Sequence, residues 1–303
     1  MSIDTARRVL GDATVAELEA GLRGTVVRPG DPSYDQARAV WNAAHDKHPA
    51  LVVRCAGTAD VIRAVEFARS EDLLVAVRGG AHSIAGFSTC DDGMVIDLSP
   101  MKGAVVDPVR RRIVAQAGLT WADFDHETQA FGLAVTGGLV SSTGISGFTL
   151  GGGVGWLLRR YGLASDNLTA AEVVTADGRV VRAAADEHPE LFWALRGGGG
   201  NFGVVTSLEY RLHEVGPQVL GGLIFYPGAQ ARQVVTGWRE LTADMPDELT
   251  TVVNLTTAPP VPFLPPEVHG TRVAVVAGLY AGTPEAGSPP WRRCAAWARR
   301  SPT

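Results

Sequence analysis

His82 is the residue whose setting in this sequence most resembles that of a reactive side chain. It lies in residues 77–93, VRGGAHSIAGFSTCDDG, between the apolar runs LLVAVR and MVIDL. An imidazole can act as a nucleophile, a base or a metal ligand near neutral pH. The adjacent glycines leave the backbone open to a ligand, and loops at strand ends often carry function. A structural histidine on an ordinary turn is equally compatible with this segment taken alone.

Two further glycine clusters follow this histidine along the chain. Residues 137–155, GGLVSSTGISGFTLGGGVG, place five hydroxyl side chains among glycines, and residues 196–203 read RGGGGNFG. Backbone N–H groups exposed by glycine can cradle phosphate oxygens. Three such loops could line one long dinucleotide cofactor, or each could be a set of tight turns. Composition alone does not identify the cofactor.

The third cluster contains the spacing of a dinucleotide fingerprint at Gly198, Gly200 and Gly203. That fingerprint requires a strand before it and a helix after it. Here a helix is predicted before the glycines and a strand after them, so the sequence argues against a Rossmann site.

Other candidate residues favour structural roles. His45 and His48 are three residues apart, but a zinc site needs further ligands, so surface positions are expected and no metal is predicted. Cys55, Cys90 and Cys294 are odd in number and far apart, which favours reduced thiols in a cytoplasm. Asp97 alternates with apolar residues in a strand and is expected to be structural.

Composition restricts the class of protein. The chain has 303 residues, 46% of them hydrophobic, and a net charge of −5. It lacks a long basic run, so nucleic acid and anionic membranes are not expected partners. It also lacks a signal peptide pattern and a run of about 18 apolar residues. A soluble cytoplasmic protein is predicted, and nothing in the sequence indicates its oligomeric state.

The elements that must position these loops follow from periodicity. Residues 50–55, a helix capped by Thr58 and residues 73–78 predict a β-α-β unit. A strand at 94–99, a hairpin, a helix ending at Gly132, a hairpin turning at Asp177-Gly178, a helix and a long strand over 202–215 follow. Beyond residue 216 three strands and one helix predict a second domain.

The last residues, 282–303, depart from this pattern. They contain four arginines and two tryptophans and no acid after Glu285. Two interpretations remain open: a disordered tail, or a second domain interrupted by a shift of reading frame.

Four motifs in order resemble the FAD-linked oxidases of the vanillyl-alcohol oxidase superfamily. They are VRGGAHSIAGFS, MVIDLSPMKGAVVDP, GGLVSSTGISGFTLGGGVGWLLRRYGLASDNL and LFWALRGGGGNFGVVT. The p-cresol methylhydroxylase-type (PCMH-type) FAD domain and its berberine bridge enzyme-like branch are the most similar, over residues 30–280. The resemblance implies an α+β fold with a two-lobed FAD-binding domain at 47–216. It implies N-terminal helices and a strand at 1–46, and an incomplete α+β substrate domain at 217–281.

The resemblance also implies the cofactor and its site. His82 would bind the flavin covalently through the 8α methyl group, and Val140 stands where some members have a second attachment cysteine, so a single attachment is predicted. The other implied FAD-binding residues lie in the three loops or directly after the third: Arg78, Gly79, Gly80, Ala81, Ser83, Gly138, Val140, Ser142, Thr143, Gly144, Gly147, Asn201, Val204 and Val205.

The implied function is hydride transfer from an alcohol, sugar or secondary-metabolite carbon to FAD, with O2 as the acceptor. Relatives continue beyond this chain into a segment that commonly supplies a tyrosine base, so no catalytic base is assigned. The alternative is a non-catalytic FAD-binding fragment.

Overall fold

The computed structural model describes residues 10–295, except for the side chains at 289–291 and 293–295. The chain forms two compact units. The first comprises the residues up to Val154 together with Leu163–His213, and the second comprises Gly155–Gly162 and the residues from Glu214 onward. Residues 1–9, for which a helix was predicted, lie outside the described part. Residues 296–303, predicted as a disordered tail or an interrupted second domain, also lie outside it.

The first lobe of the first unit is a four-stranded sheet with three helices. Strand β4 runs parallel to β2 and β3, and β1 closes the other edge antiparallel to β2, giving the order β1-β2-β4-β3. The elements are β1 Thr25–Val27, β2 Leu51–Arg54, β3 Val75–Arg78, β4 Met94–Asp97, α1 Asp12–Ala20, α2 Tyr34–Arg38 and α3 Thr58–Ser70. The predicted β-α-β unit is confirmed.

Helix α3 shows how the sequence produces this lobe. Its buried side chains recur at helical spacing and pack into the core. Thr58 is not the N-cap that was predicted: Gly57 occupies that position, and the Thr58 hydroxyl donates to Glu172 Oε1 at 2.9 Å. The buried Asp60 carboxylate accepts the backbone N–H groups of Arg23, Gly24 and Ala56 at 2.8–3.0 Å.

The second lobe is a five-stranded antiparallel sheet in the order β5-β6-β10-β8-β9. Its elements, with the short strands and helices beside it, are β5 Ala104–Asp107, β6 Arg112–Gln116, α4 Trp121–Gln129, β7 Leu133–Ala134, α5 Ile145–Leu150, β8 Leu168–Val174, β9 Val180–Ala184, α7 Pro189–Gly198, β10 Val204–Arg211 and β11 His213–Glu214. Both predicted hairpins are confirmed. Helix α7 precedes and β10 follows the third glycine cluster, opposite to the order of a Rossmann fingerprint.

One core joins the two lobes. It contains side chains from α3, β2 and β4 and from β6, β8 and β10. Trp121, Phe124 and Tyr210 are fully buried there in successive edge-to-face contacts at 5.2 and 5.3 Å. The Tyr210 hydroxyl pairs with Thr149 at 2.8 Å, and burial raises the pKa of this phenol. The predicted α+β fold is thereby confirmed.

The second unit is a three-stranded antiparallel sheet, β12-β14-β13, with helices. The elements are α6 Leu158–Tyr161, β12 Leu220–Pro227, α8 Ala231–Thr242, β13 Leu249–Thr257, β14 Arg272–Tyr280 and α9 Pro284–Ala295. Helix α6 groups with this unit although the sequence placed it in the FAD-binding domain. Its side chains explain the difference: Arg159 donates to Met245 O at 2.9 Å and Arg160 to Ala281 O.

Helix α9 corrects the prediction of an irregular tail for residues 284–295. Proline is well tolerated in the first turn of a helix, where its missing N–H costs nothing. The Ala286 N–H donates to Thr283 Oγ1 at 3.4 Å, and Ser288 Oγ donates to Pro284 O at 2.9 Å. Among the helices of the described residues, none has the length and apolarity to cross a membrane.

Candidate functional site

The loop that carries His82 begins where β3 ends, at residue 79, and runs to residue 93. The backbone N–H groups of residues 79–83 donate no hydrogen bond to any other described residue. Ala81 has a left-handed backbone with φ of 57°, which is uncommon outside glycine. Consecutive N–H groups around a left-handed residue form a concave nest that binds anions. This first loop therefore offers donors to an anionic ligand.

Arg78, at the end of β3, uses its side chain for contacts within the protein. Its side chain is 7% exposed, and the guanidinium donates to Ala37 O and, at 2.7 Å, to Ala39 O. Asp97 Oδ2 lies 3.8 Å away, and burial lowers the pKa of this guanidinium. The side chain thus holds the segment at 37–41 against the end of β3.

That segment ends in Trp41, which covers one face of His82. The two rings stack with centroids 5.2 Å apart and planes 18° from parallel. The Trp41 backbone N–H donates to Ala81 O at 3.0 Å, so the same residue is tied to the loop twice. On the other side of the loop, Asn42 Nδ2 and His45 Nε2 both lie within 2.9 Å of Ile84 O. His45 therefore supports the loop, and no three potential metal-ligating residues cluster in the described residues.

The second loop, residues 137–155, is held by the start of α4. Thr120 and Asp123 form a capping box that fixes the first turn of this helix. The N–H groups of Trp121 and Ala122 then donate to Thr143 O at 3.0 Å and to Ser141 O at 2.9 Å. These bonds place the exposed Ser142 where its Oγ lies 3.1 Å from His82 Nε2. The first and second loops thus meet at this histidine.

The backbones of the two loops also touch directly. A Cβ atom at Gly80 would lie 2.2 Å from Gly144 N, and one at Gly144 would lie 2.3 Å from Gly80 N. A Cβ at Gly79 would lie 2.7 Å from Ser146 Oγ, which itself donates to Ala117 O at 2.8 Å. Glycine is required here because of this close approach and not because of a left-handed backbone.

The third loop contacts the second through α5. The Gly199 N–H donates to Leu150 O, the last residue of α5, at 3.1 Å. Asn201 is exposed, and its Nδ2 donates to Gly198 O at 2.6 Å. Val204 and Val205 are buried in the core as part of β10, so neither side chain is available to a ligand.

Among the other predicted residues, Ser83 and Gly138 have structural roles, whereas Gly147 faces open space. Ser83 Oγ accepts the Phe87 N–H at 3.1 Å and closes the turn after His82. A Cβ at Gly138 would lie 2.8 Å from the indole of Trp121, so glycine allows that ring to pack beneath the second loop. Around Gly147 a Cβ would find open space, which leaves that position accessible.

Neither described cysteine thiol lies at the surface. Cys55 and Cys90 are both buried in apolar clusters, and burial raises the pKa of each thiol. Val140, the position at which the resemblance implied a second attachment cysteine in some family members, is exposed and aliphatic. Among these three positions, none offers a reactive nucleophile.

This arrangement fits FAD. The unpaired N–H groups of residues 79–83 suit a pyrophosphate. The first two loops also carry exposed apolar side chains that suit a planar aromatic ring, namely Ile84, Phe87, Leu139 and Val140. Sequence reasoning found the three loops but missed Trp41. The available signal was one tryptophan preceding Asn42 and His45, and nothing local linked it to a loop forty residues later.

Comparisons with known proteins agree with this assignment. Residues 49–184 match the family model described as an FAD binding domain. An FAD-linked oxidoreductase of Dictyostelium discoideum is 37% identical over 278 residues, which is 91% of this chain and 58% of that protein.

Two solved structures show the same fold. The 6-hydroxy-D-nicotine oxidase of Arthrobacter nicotinovorans superposes with a TM-score of 0.82 at 32% identity, over 90% of this chain and 59% of that one. The xylooligosaccharide oxidase of Myceliophthora thermophila gives 0.80 at 26% identity, over 94% and 59%. The chain spans about three fifths of the length of these three proteins. Over most of its length the chain is therefore similar to FAD-linked oxidoreductases, and 6-hydroxynicotine oxidase and a berberine bridge enzyme-like protein of Physcomitrella patens are among the proteins that it matches.

Proposed function

We propose that this chain binds FAD in the three glycine loops, carries it covalently on His82, and belongs to an oxidase of small molecules. The observation that supports this most directly is the first loop itself. It presents unpaired N–H groups and a histidine held by Ser142 and Trp41 at the contact between Gly80 and Gly144.

When bound, FAD supplies the acceptor for a hydride and passes the electrons on. The protein's contribution is to hold and orient it. The N–H groups of the first loop would donate hydrogen bonds to the pyrophosphate, and the glycine contact between the loops would let backbone lie close to the cofactor. A covalent bond from His82 fixes the ring in one position.

The proposed substrate is an alcohol, a sugar or a secondary metabolite with an oxidisable carbon, and the proposed acceptor is O2. Both structural relatives described above are named as oxidases, one of 6-hydroxy-D-nicotine and one of xylooligosaccharides. Attachment at His82 alone is proposed, because Val140 is aliphatic and Cys55 and Cys90 are buried. A cytoplasmic location is proposed from cysteine usage.

A second candidate is an FAD-binding fragment without turnover. It is favoured by the fact that the residues proposed to bind FAD all lie in the first unit. No residue described here is assigned as a catalytic base.

One experiment separates these candidates. The purified chain is supplied with FAD, and its visible spectrum and hydrogen peroxide formation are followed with alcohols, oligosaccharides and hydroxylated N-heterocycles. Bound flavin with peroxide formation supports the oxidase, and bound flavin that no substrate reduces supports the fragment. Protein that holds no flavin after incubation with saturating FAD and removal of the unbound FAD contradicts both candidates.

A further inference from the structure

The two ring nitrogens of His82 have different surroundings. Nε2 lies 3.1 Å from Ser142 Oγ, whereas Nδ1 has no hydrogen-bond partner among residues 10–295. Trp41 covers one face of the ring and restricts its rotation. The imidazole is therefore held in place while one nitrogen remains available for bonding.

The Ser142 hydroxyl makes no hydrogen bond to any other described side chain. Its position is fixed by its neighbours, because Thr143 O accepts the Trp121 N–H and the Thr143 N–H donates to Val140 O, both at 3.0 Å. Ser142 thus presents a hydroxyl to His82 from a tethered segment of the second loop.

We infer that Ser142 is a positioning residue that holds His82 in the Nε2–H tautomer, so that Nδ1 is the nitrogen that bonds to the flavin. This inference rests on the proposed covalent attachment. In a neutral imidazole one nitrogen carries the proton and the other the free electron pair, and the hydrogen bond of one nitrogen selects the tautomer. With Nε2–H donating to Ser142 Oγ, the free pair is on Nδ1.

The same contact stabilises the attack. As Nδ1 shares its electron pair, positive charge builds on the ring, and the hydrogen bond from Nε2–H to Ser142 becomes charge-assisted. Overall, the Nδ1–C bond replaces one C–H bond of the 8α methyl group, and the imidazole loses its Nε2 proton to solvent. The two electrons and two protons released reduce O2 to hydrogen peroxide, so the step is balanced.

The test measures attachment rather than turnover. The chain is prepared without flavin, FAD is added in air, and the covalent fraction is followed over time by flavin fluorescence in denaturing gels. Ser142→Ala is expected to slow attachment roughly 10- to 100-fold, the effect of losing one hydrogen bond to a charged group. Ser142→Thr keeps a hydroxyl and is expected to restore the rate. Ser141→Ala removes the neighbouring exposed hydroxyl and serves as the matched control.

A spectroscopic signature separates tautomer selection from general damage. In protein without flavin, long-range proton–nitrogen correlations of ¹⁵N-labelled histidine report which nitrogen is protonated, with His82→Ala used to assign the signal. The Nε2–H tautomer is expected in the wild type, with a mixture in Ser142→Ala.

Wild-type attachment rates in Ser142→Ala, or an Nδ1–H tautomer in the wild type, would overturn the inference. A wild-type chain that binds no FAD covalently contradicts the proposed function instead, and the tautomer measurement then decides the role of Ser142 on its own.

Discussion

Substituting Gly80 by alanine tests the close approach of the first and second loops. The new Cβ would lie 2.2 Å from Gly144 N and 2.5 Å from its Cα, whereas ordinary contacts begin at 3.4 Å. Both obstacles are backbone atoms, so no side-chain rotation relieves the clash and the loops must separate by about 1 Å. Overpacking of this kind costs about 1–3 kcal/mol, and a displacement of about 1 Å in a pre-organised site can cost about 100-fold in rate.

We therefore expect Gly80→Ala to lower the melting temperature by several degrees and to slow covalent FAD attachment at least about tenfold. Calorimetry without flavin measures the first effect, and gel fluorescence after FAD addition measures the second. Gly221→Ala in β12 is the control, because it lies outside the three loops, a Cβ there meets only Gly278 O at an ordinary 3.5 Å, and its backbone is not left-handed. If Gly80→Ala melts and attaches FAD as the wild type does, the loops do not make the contact described.

Two further substitutions and one labelling experiment test other parts of the molecule. Gly147→Ala places a methyl group in open space within α5, so the melting temperature should stay the same or rise. If the cofactor lies against this residue, the affinity for FAD, measured by fluorescence titration, should fall at least about tenfold. An unchanged affinity would show that Gly147 is not part of the site. Asp60→Ala leaves three backbone donors without their shared carboxylate and should cost about 2–4 kcal/mol in urea unfolding, and a cost near zero would refute this role. Because burial raises the pKa of Cys55 and Cys90, neither should react with iodoacetamide in native protein at neutral pH, whereas both should react in denaturant; rapid native labelling, mapped by mass spectrometry, would contradict their burial.

Local patterns in the sequence were enough to predict most elements and the three loops. The Asp177-Gly178 hairpin and the periodicity of α3 depend on neighbours within a few residues, so they could be predicted without the fold. The glycine motifs are local as well, and FAD was predicted from their resemblance to the motifs of FAD-linked oxidases.

Contacts between distant residues could not be predicted. Nothing near Trp41 indicates that it stacks on His82, and the glycines at 80 and 144 do not reveal that each excludes a side chain from the other. Arg78 was assigned to the cofactor loop through its motif, and nothing local indicates that the carbonyls that bind its guanidinium belong to the segment at 37–39. Helix α9 was missed because its prolines and glycine weaken helical periodicity.

The most direct test of the account is the mass of the denatured chain after incubation with FAD. The account predicts that the wild type gains the mass of FAD less two hydrogens, that the added mass maps to the peptide containing His82, and that His82→Ala binds FAD but gains no mass. Flavin retained by denatured His82→Ala protein, or an unmodified His82 peptide in yellow wild-type protein, would contradict it.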